Sequence, residues 1–513
     1  MMYLMRSLAA WILLFTSISS FSQTDKTPVV KTDAGLISGV TNNDGIVKIF
    51  KGIPFVAPPV DELRWKAPQP AQHWNGVKKC DTFSASPMQN SPVPFSMWSE
   101  EFLIPKEPIS EDCLYLNVWT TATSSNKKLP VLVWVYGGGF VSGGSAVPIY
   151  DGEAMAKKGI VFVSINYRVG IFGFFAHPEL TKESPDHASG NYGLLDQIAA
   201  LQWVQKNIAA FGGDANNVTV AGQSAGAMSV NCLVASPLAK GLFNKAIAES
   251  GASFTNSVSL QQAEDEGVKT MASLHANSID ELRKLPAPDL MKAQGIRRPV
   301  VDGYVLPQSI AAIFAAHKEN NVALLTGWNE NEGLSFDKIK NATDYATEAT
   351  KNYGIDAKTY LQFYPATNDS VASASQYNLS RDMIFGVQNY TWANMQSSNG
   401  NQVFLYRFTH KLPATGEYVK YGAFHTGEVP YAYNNLRFVN RPWQKVDYDL
   451  ANTMCDYWAN FVKTGNPNGN DLPEWKAYNT STKEVMILGE TQQSEPLKDY
   501  RQLDFLYSKM KAE

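Results

Sequence analysis

The chain carries a series of short apolar runs that do not alternate with polar residues. Val-Leu-Val-Trp-Val occupies 131–135 and Ile-Val-Phe-Val-Ser-Ile occupies 160–165. Similar runs fall at 218–221, 246–248, 322–325, 403–408 and 485–488. A strand with one wet face alternates. A strand without alternation suits burial on both faces, as in a parallel sheet covered by helices. Helical periodicity separates the runs. Leu194, Ile198, Leu201, Val204 and Ile208 are spaced to share one helix face, and Gly212-Gly213 stops that helix. Upstream, 29–40 and 46–50 alternate loosely around Asn43-Asp44-Gly45, a hairpin pattern. The segment 55–70 is proline-rich and extended, and 114–119 predicts another strand. Two longer stretches, 260–317 and 336–399, predict mostly helical insertions. The alternation of strand and helix predicts an α/β fold: a doubly wound, mostly parallel central sheet flanked by helices, with an N-terminal hairpin. No low-complexity linker or internal repeat divides it, so residues 23–513 are expected to form one domain.

One of these runs ends in a chemically suggestive turn. Val218-Thr219-Val220-Ala221 meets Gly222-Gln223-Ser224-Ala225-Gly226, and a helix-compatible run follows. Strand, tight turn and helix would expose the Ser224 hydroxyl at the tip, with glycines where the turn and the helix packing leave no room for a Cβ. Alone, the pattern also fits a plain glycine-bracketed turn. On such a sheet a nucleophilic serine needs an acid and then a histidine on loops after later strands. After the run 322–325 stands Gly327-Trp328-Asn329-Glu330-Asn331-Glu332-Gly333. Glu332 is the favoured acid and Glu330 the alternative. Beyond them lie only His410 and His425. His425 sits in the glycine-flanked loop Gly422-Ala423-Phe424-His425-Thr426-Gly427 and is favoured as the base. The imidazole would take the hydroxyl proton during attack on a carbonyl, and a buried carboxylate would fix its tautomer. Tyr136-Gly137-Gly138-Gly139-Phe140 follows the run 131–135. Its backbone N–H groups at Gly138 and Gly139, with that of Ala225, could form an oxyanion hole. A phosphate cradle is the competing reading, but neither the P-loop Lys-Ser/Thr nor the dinucleotide glycine fingerprint accompanies it.

Composition narrows the function classes. The chain has 513 residues, enough for a large core, and a net charge of −4 without a long basic run, which argues against nucleic acid as a partner. Residues 1–22 resemble an export signal: Arg6, a mostly apolar stretch over 8–18, and Ser20-Phe21-Ser22 before Gln23. Cleavage there implies a secreted or periplasmic protein. No later stretch is long and apolar enough to suggest stable membrane insertion after signal cleavage. Among the four cysteines, Cys80 and Cys113 are the close pair. A bridge between them would contribute about 3–4 kcal/mol through loop closure. Cys232 and Cys455 suit buried thiols. The spacing of His and Cys implies no metal, and no cofactor motif is found.

At this point the chain resembles the type-B carboxylesterases, the branch of α/β-hydrolases that also holds cholinesterases and bile-salt lipases. The resemblance spans nearly the whole mature chain. It rests on Gly52-Ile53-Pro54-Phe55, Leu63-Arg64-Trp65, Ser110-Glu111-Asp112-Cys113-Leu114-Tyr115-Leu116-Asn117 and the glycine loop. It continues through Asn166-Tyr167-Arg168, Gly193-Leu194-Leu195-Asp196-Gln197, Gly222 to Gly226, Asn331-Glu332-Gly333, His425 and Gly465-Asn466-Pro467. The resemblance implies the α/β-hydrolase fold and a serine esterase working through an acyl-enzyme, without a cofactor. It implies Ser224 as nucleophile, Glu332 as acid, His425 as base, and Gly138, Gly139 and Ala225 as oxyanion donors. It also implies a Cys80–Cys113 disulfide and a buried Arg64–Glu111 ion pair in the scaffold. Cholinesterases carry Glu before the serine, where this chain has the neutral Gln223. Trp98 lies farther from Cys113 than their cation-stacking Trp does. The expected substrate is therefore a neutral small-molecule carboxylic ester. The alternatives are a lipase acting on longer acyl chains and a non-catalytic binding or adhesion protein on the same scaffold.

Overall fold

The computed structural model of the chain describes residues 27–255, 257–334 and 338–510. The expected export signal over 1–22 lies outside the described residues. Eleven strands form one sheet: β1 (Val40–Thr41), β2 (Lys48–Pro54), β3 (Tyr115–Thr120), β4 (Leu129–Val135), β5 (Val161–Ile165), β6 (Gly213–Gln223), β7 (Lys245–Glu249), β8 (Ala323–Asn329), β9 (Val403–Phe408), β10 (Glu484–Leu488) and β11 (Gln492–Pro496). Their spatial order is β1-β2-β3-β5-β4-β6-β7-β8-β9-β10-β11. The seven from β5 to β10 run parallel, and β3, β2, β1 and β11 complete the sheet with antiparallel pairings.

Burial explains the apolar runs. Every residue of β5, β7 and β9 is buried, as are Val218 to Gln223 of β6. Such strands have no wet face on which polar residues could alternate. Helices Ala225–Ala235 and Lys445–Thr464 pack on the central strands, and Val387–Ser398 packs on β8 and β9. A single cluster of buried apolar side chains extends from Ile37 to Leu506.

The hairpin expected around Asn43-Asp44-Gly45 joins β1 to β2. Val29–Lys31 and Val77–Lys79 flank Leu36–Ser38 in a separate three-stranded sheet. The expected helix over 194–208 spans Tyr192–Asn207 and tightens through Ile208–Phe211 before Gly212, whose φ is +79°. The first insertion is helical at Leu260–Ser273, Ile279–Lys284, Ala287–Leu290 and Ile310–Ala315. Between the last two it departs from the helical expectation. Gly295, Pro299, Gly303 and Pro307 interrupt the ladder there, and Val301 makes a bridge to Ser259. The second insertion is helical over Ala342–Tyr353, Ala357–Phe363 and Asp369–Arg381.

The Cys80–Cys113 bridge that the resemblance implies is not formed in this structure. All four cysteines are buried free thiols, and Cys80 Sγ lies 3.8 Å from the Gly52 carbonyl. Burial raises the pKa of both Cys80 and Cys113. The Arg64–Glu111 pair is present: Arg64 Nε and Nη2 donate to the two Glu111 oxygens at 2.7 and 2.5 Å.

Candidate active site

Register aligns the carboxyl ends of three parallel strands. Gln223 of β6 pairs with Glu249 of β7, which pairs with Gly327 of β8. Residues just beyond these ends therefore gather along one edge, where α/β sheets place their sites. Ser224 leaves β6 with φ +58° and ψ −125°, a conformation rare for a residue with a Cβ. Its N–H donates to the Glu249 carbonyl at 2.8 Å, and its carbonyl accepts from Met228 N at 2.9 Å in the following helix.

The flanking glycines are required by contact. A Cβ on Gly222 would stand 2.5 Å from the Gly226 carbonyl carbon and 2.8 Å from the Val135 carbonyl oxygen. A Cβ on Gly226 would collide with the same Val135 oxygen. The helix after Ser224 thus lies directly against the end of β4, which begins the glycine loop. A Cβ on Gly137 would fall 2.9 Å from the Ser224 Cβ. Gly138 and Gly139 follow with φ of +113° and +62°, and both are exposed. Among the described residues no acceptor takes their N–H groups. Ala225 opens the helix, where its N–H has no intrahelical partner. The structure thus sets the glycine loop against the turn that carries Ser224 and Ala225.

The structure brings Ser224, His425 and Glu332 together. His425 Nε2 lies 2.8 Å from Ser224 Oγ, and its Nδ1 lies 2.8 Å from Glu332 Oε2. The other carboxylate oxygen accepts the Asn329 N–H at 2.7 Å, which fixes the acid within its own turn. Glu332 and His425 are both buried. Burial pushes the Glu332 carboxyl up to about 8, opposed by the Asn329 N–H and by Arg381 and Arg407. Burial also pushes the His425 imidazole down to about 4, opposed by Glu428. A neutral imidazole between a hydroxyl and a carboxyl group is the form that can accept the serine proton.

Glu330 and His410 are placed elsewhere. Glu330 receives Arg407 Nε at 2.9 Å and Arg381 Nη1 at 3.3 Å. His410 Nε2 lies 2.8 Å from Asp447 Oδ1.

The sequence did not mark Phe385, Glu249 or Glu428, nor the contacts that Trp98 and Gln223 make with His425. Phe385 stacks on the His425 ring at 4.4 Å between centroids, and Trp98 meets it edge-on at 6.1 Å. Trp98 also donates from Nε1 to Thr426 Oγ1 at 3.2 Å. Gln223 Nε2 lies 3.2 Å from His425 Nε2. Behind them Glu249 and Glu428 are fully buried, and burial raises both, to about 8 and about 7. Glu249 Oε1 accepts Tyr433 OH and Trp458 Nε1, each at 2.9 Å, while Glu428 accepts from Asn329 Nδ2. A Glu three residues after the histidine was the available clue to this second layer.

Comparison with known proteins bears on the chain as a whole. The model of the Carboxylesterase family matches residues 26–506. The fumonisin B1 esterase of Sphingopyxis macrogoltabida is 35% identical over 94% of this chain and 91% of its own length. The para-nitrobenzyl esterase of Bacillus subtilis (strain 168) is 34% identical over 92% of this chain and 98% of its own. The liver carboxylesterase of Sus scrofa is 34% identical over 95% of each chain. A solved structure of PNB esterase superposes with a TM-score of 0.80 at 33% identity, covering 93% of this chain and 99% of that one. With its α/β-hydrolase sheet and a match of this extent, the chain belongs to the carboxylesterase family and is a carboxylic-ester hydrolase.

Proposed function

We propose that hydrolysis proceeds through an acyl-enzyme on Ser224. His425 is the general base and then the general acid, and Glu332 orients it. The observation that carries this reading is the unbroken relay from Ser224 Oγ to His425 Nε2 and from His425 Nδ1 to Glu332 Oε2, both at 2.8 Å. Ser224 Oγ attacks the ester carbonyl as Nε2 takes its proton. The tetrahedral oxyanion is held by the N–H groups of Gly138, Gly139 and Ala225. Collapse expels the alcohol, protonated by the imidazolium, and water then repeats the sequence on the acyl-serine. The neutral Gln223 beside the base offers no anchor for a cationic alcohol, which points to esters without a quaternary amine.

The shared core from Ile37 to Leu506 supports treating 23–513 as one domain. Export and removal of 1–22 remain part of the proposal, and the amino terminus of the mature protein should be Gln23. Among the described residues no helix is long and apolar enough to cross a membrane.

The reaction is tested with a 4-nitrophenyl ester and an organophosphate. The expected result is a burst of nitrophenol and stoichiometric labelling of Ser224. Ser224→Ala should lose both, with a fall in kcat of about 10³–10⁶. Full activity in that variant would remove Ser224 from the reaction.

A further inference from the structure

A cavity of about 690 Å³ lies beside the nucleophile turn. Its wall includes Gly139 of the glycine loop and Met228, which is bonded to the Ser224 carbonyl. Much of the remaining lining is apolar, as in small-molecule sites. Two guanidinium groups interrupt it. Arg297 and Arg298 come from the non-helical part of the first insertion.

The partners of Arg297 set it apart from the fully buried arginines. Arg64, Arg168, Arg283, Arg381 and Arg407 each hold a carboxylate within 4 Å. Among the described residues Arg297 donates only to backbone carbonyls: Nη1 to Ile296 at 2.8 Å, and Nη2 to Gln294 at 3.1 Å and Ala293 at 3.5 Å. Its guanidinium also lies 6.0 Å from the Phe175 ring centroid. Burial pushes this guanidinium down to about 10, and no carboxylate opposes the shift. Arg298 is exposed at the same wall. The one carboxylate of the lining, Glu266, is paired with Lys269 at 2.6 Å. The cavity therefore presents uncompensated positive charge next to the ester site. A half-buried cation without a counter-ion is unfavourable unless a ligand supplies one, and the planar guanidinium matches a carboxylate.

We propose that Arg297 and Arg298 form a carboxylate-binding subsite, so that the preferred substrates are esters with a free carboxylate on one limb. The inference rests on the serine-esterase reading and departs from the neutral-ester expectation. The ester bond itself is ordinary, and the charge lies elsewhere on the molecule.

The test uses the whole mature chain and initial rates of acid release. For an acyl-side carboxylate, ethyl hydrogen glutarate is compared with ethyl pentanoate. For an alcohol-side carboxylate, acetoxyacetate is compared with propyl acetate. In one arm kcat/KM should favour the charged ester. Arg297→Gln and Arg298→Glu should each lower the charged-to-neutral ratio by about 10–100-fold, the range for a charge-assisted hydrogen bond. Arg297→Lys should retain part of it. Arg298 is exposed, so Arg298→Glu keeps the test decisive should Arg297→Gln fail to fold. Calorimetry with glutarate supplies a readout that needs no turnover: binding should weaken at least tenfold in Arg298→Glu. Ester hydrolysis with an unchanged ratio in both arms overturns the subsite and leaves the esterase reading intact. Glutarate binding that weakens in Arg298→Glu, without hydrolysis of any ester, overturns the esterase reading and keeps the subsite.

Discussion

Two buried histidines each hold a carboxylate at 2.8 Å: His425 with Glu332, and His410 with Asp447. The acid is therefore not what makes a base. In the first pair the acid takes Nδ1, and Nε2 is left facing Ser224 Oγ. In the second, Nε2 itself is taken by Asp447, whose oxygens also accept Tyr431 OH at 2.7 Å and the Gln444 N–H at 2.8 Å. Among the described residues no serine hydroxyl bonds to the His410 ring. One pair is a relay with an open end, and the other is a closed knot that ties β9 to the helix Lys445–Thr464.

The most severe way to break this comparison is to delete each ring. His425→Ala should lower kcat by about 10⁴–10⁶ while leaving a folded protein. His410→Ala should act on stability instead, costing about 1–3 kcal/mol because Asp447 keeps only part of its bonding. Denaturant melts alongside rates separate the two. Equal losses of activity at matched stability would dissolve the distinction. Next comes the pair of carboxylates. Glu332→Gln should lower kcat by up to about 10⁴ through the wrong tautomer. Glu330→Gln should instead loosen Arg381 and Arg407 and leave most of the rate. A Glu330→Gln enzyme as impaired as Glu332→Gln would reopen the choice of acid.

Smaller effects follow from pH. In the proposed mechanism His425 works as a neutral base, so activity is lost as pH falls through its pKa. Burial places that below the ordinary value of about 6.5. The acid limb of kcat/KM should therefore lie below pH 6. A limb centred near 7 would mean that the charge on Glu332 outweighs burial.

The smallest expected effect concerns the acids behind the base. Glu249 has a raised folded pKa of about 8 against an ordinary 4.5, so the fold binds more protons than the unfolded chain between these values. Its contribution to stability is greatest below about 4.5 and declines as pH rises toward 8. Glu249→Gln should flatten the fall in melting temperature from pH 5 to 8. An unchanged slope would place that titration elsewhere.

Much of the fold was legible because strands buried on both faces leave an uninterrupted apolar trace, as at 131–135 and 403–408. What escaped lacked that trace. The edge strand Gln492–Pro496 is polar because its side chains meet water, and Val77–Lys79 is wholly exposed. In the site, Ser224 was marked by glycines whose contacts forbid a side chain, a constraint that leaves its mark in the sequence even where the contact, Val135, is distant. Between Glu330 and Glu332, or His410 and His425, local sequence could favour but not decide. The deciding contacts come from Arg381, Arg407 and Asp447, which are distant in the chain. Phe385 and Trp98 reach His425 from separate segments, and no spacing rule connects them.

The backbone at Ser224 has a consequence beyond the reaction. A residue with a Cβ held at φ +58° and ψ −125° carries on the order of 1–3 kcal/mol of conformational penalty. Folding alone would favour glycine there. Evolutionary pressure for an abundant, durable protein therefore pulls against the serine, and under the proposed mechanism only pressure for turnover keeps it. In a lineage where hydrolysis ceased to matter, this position should be among the first to drift, while the sheet beneath it persists.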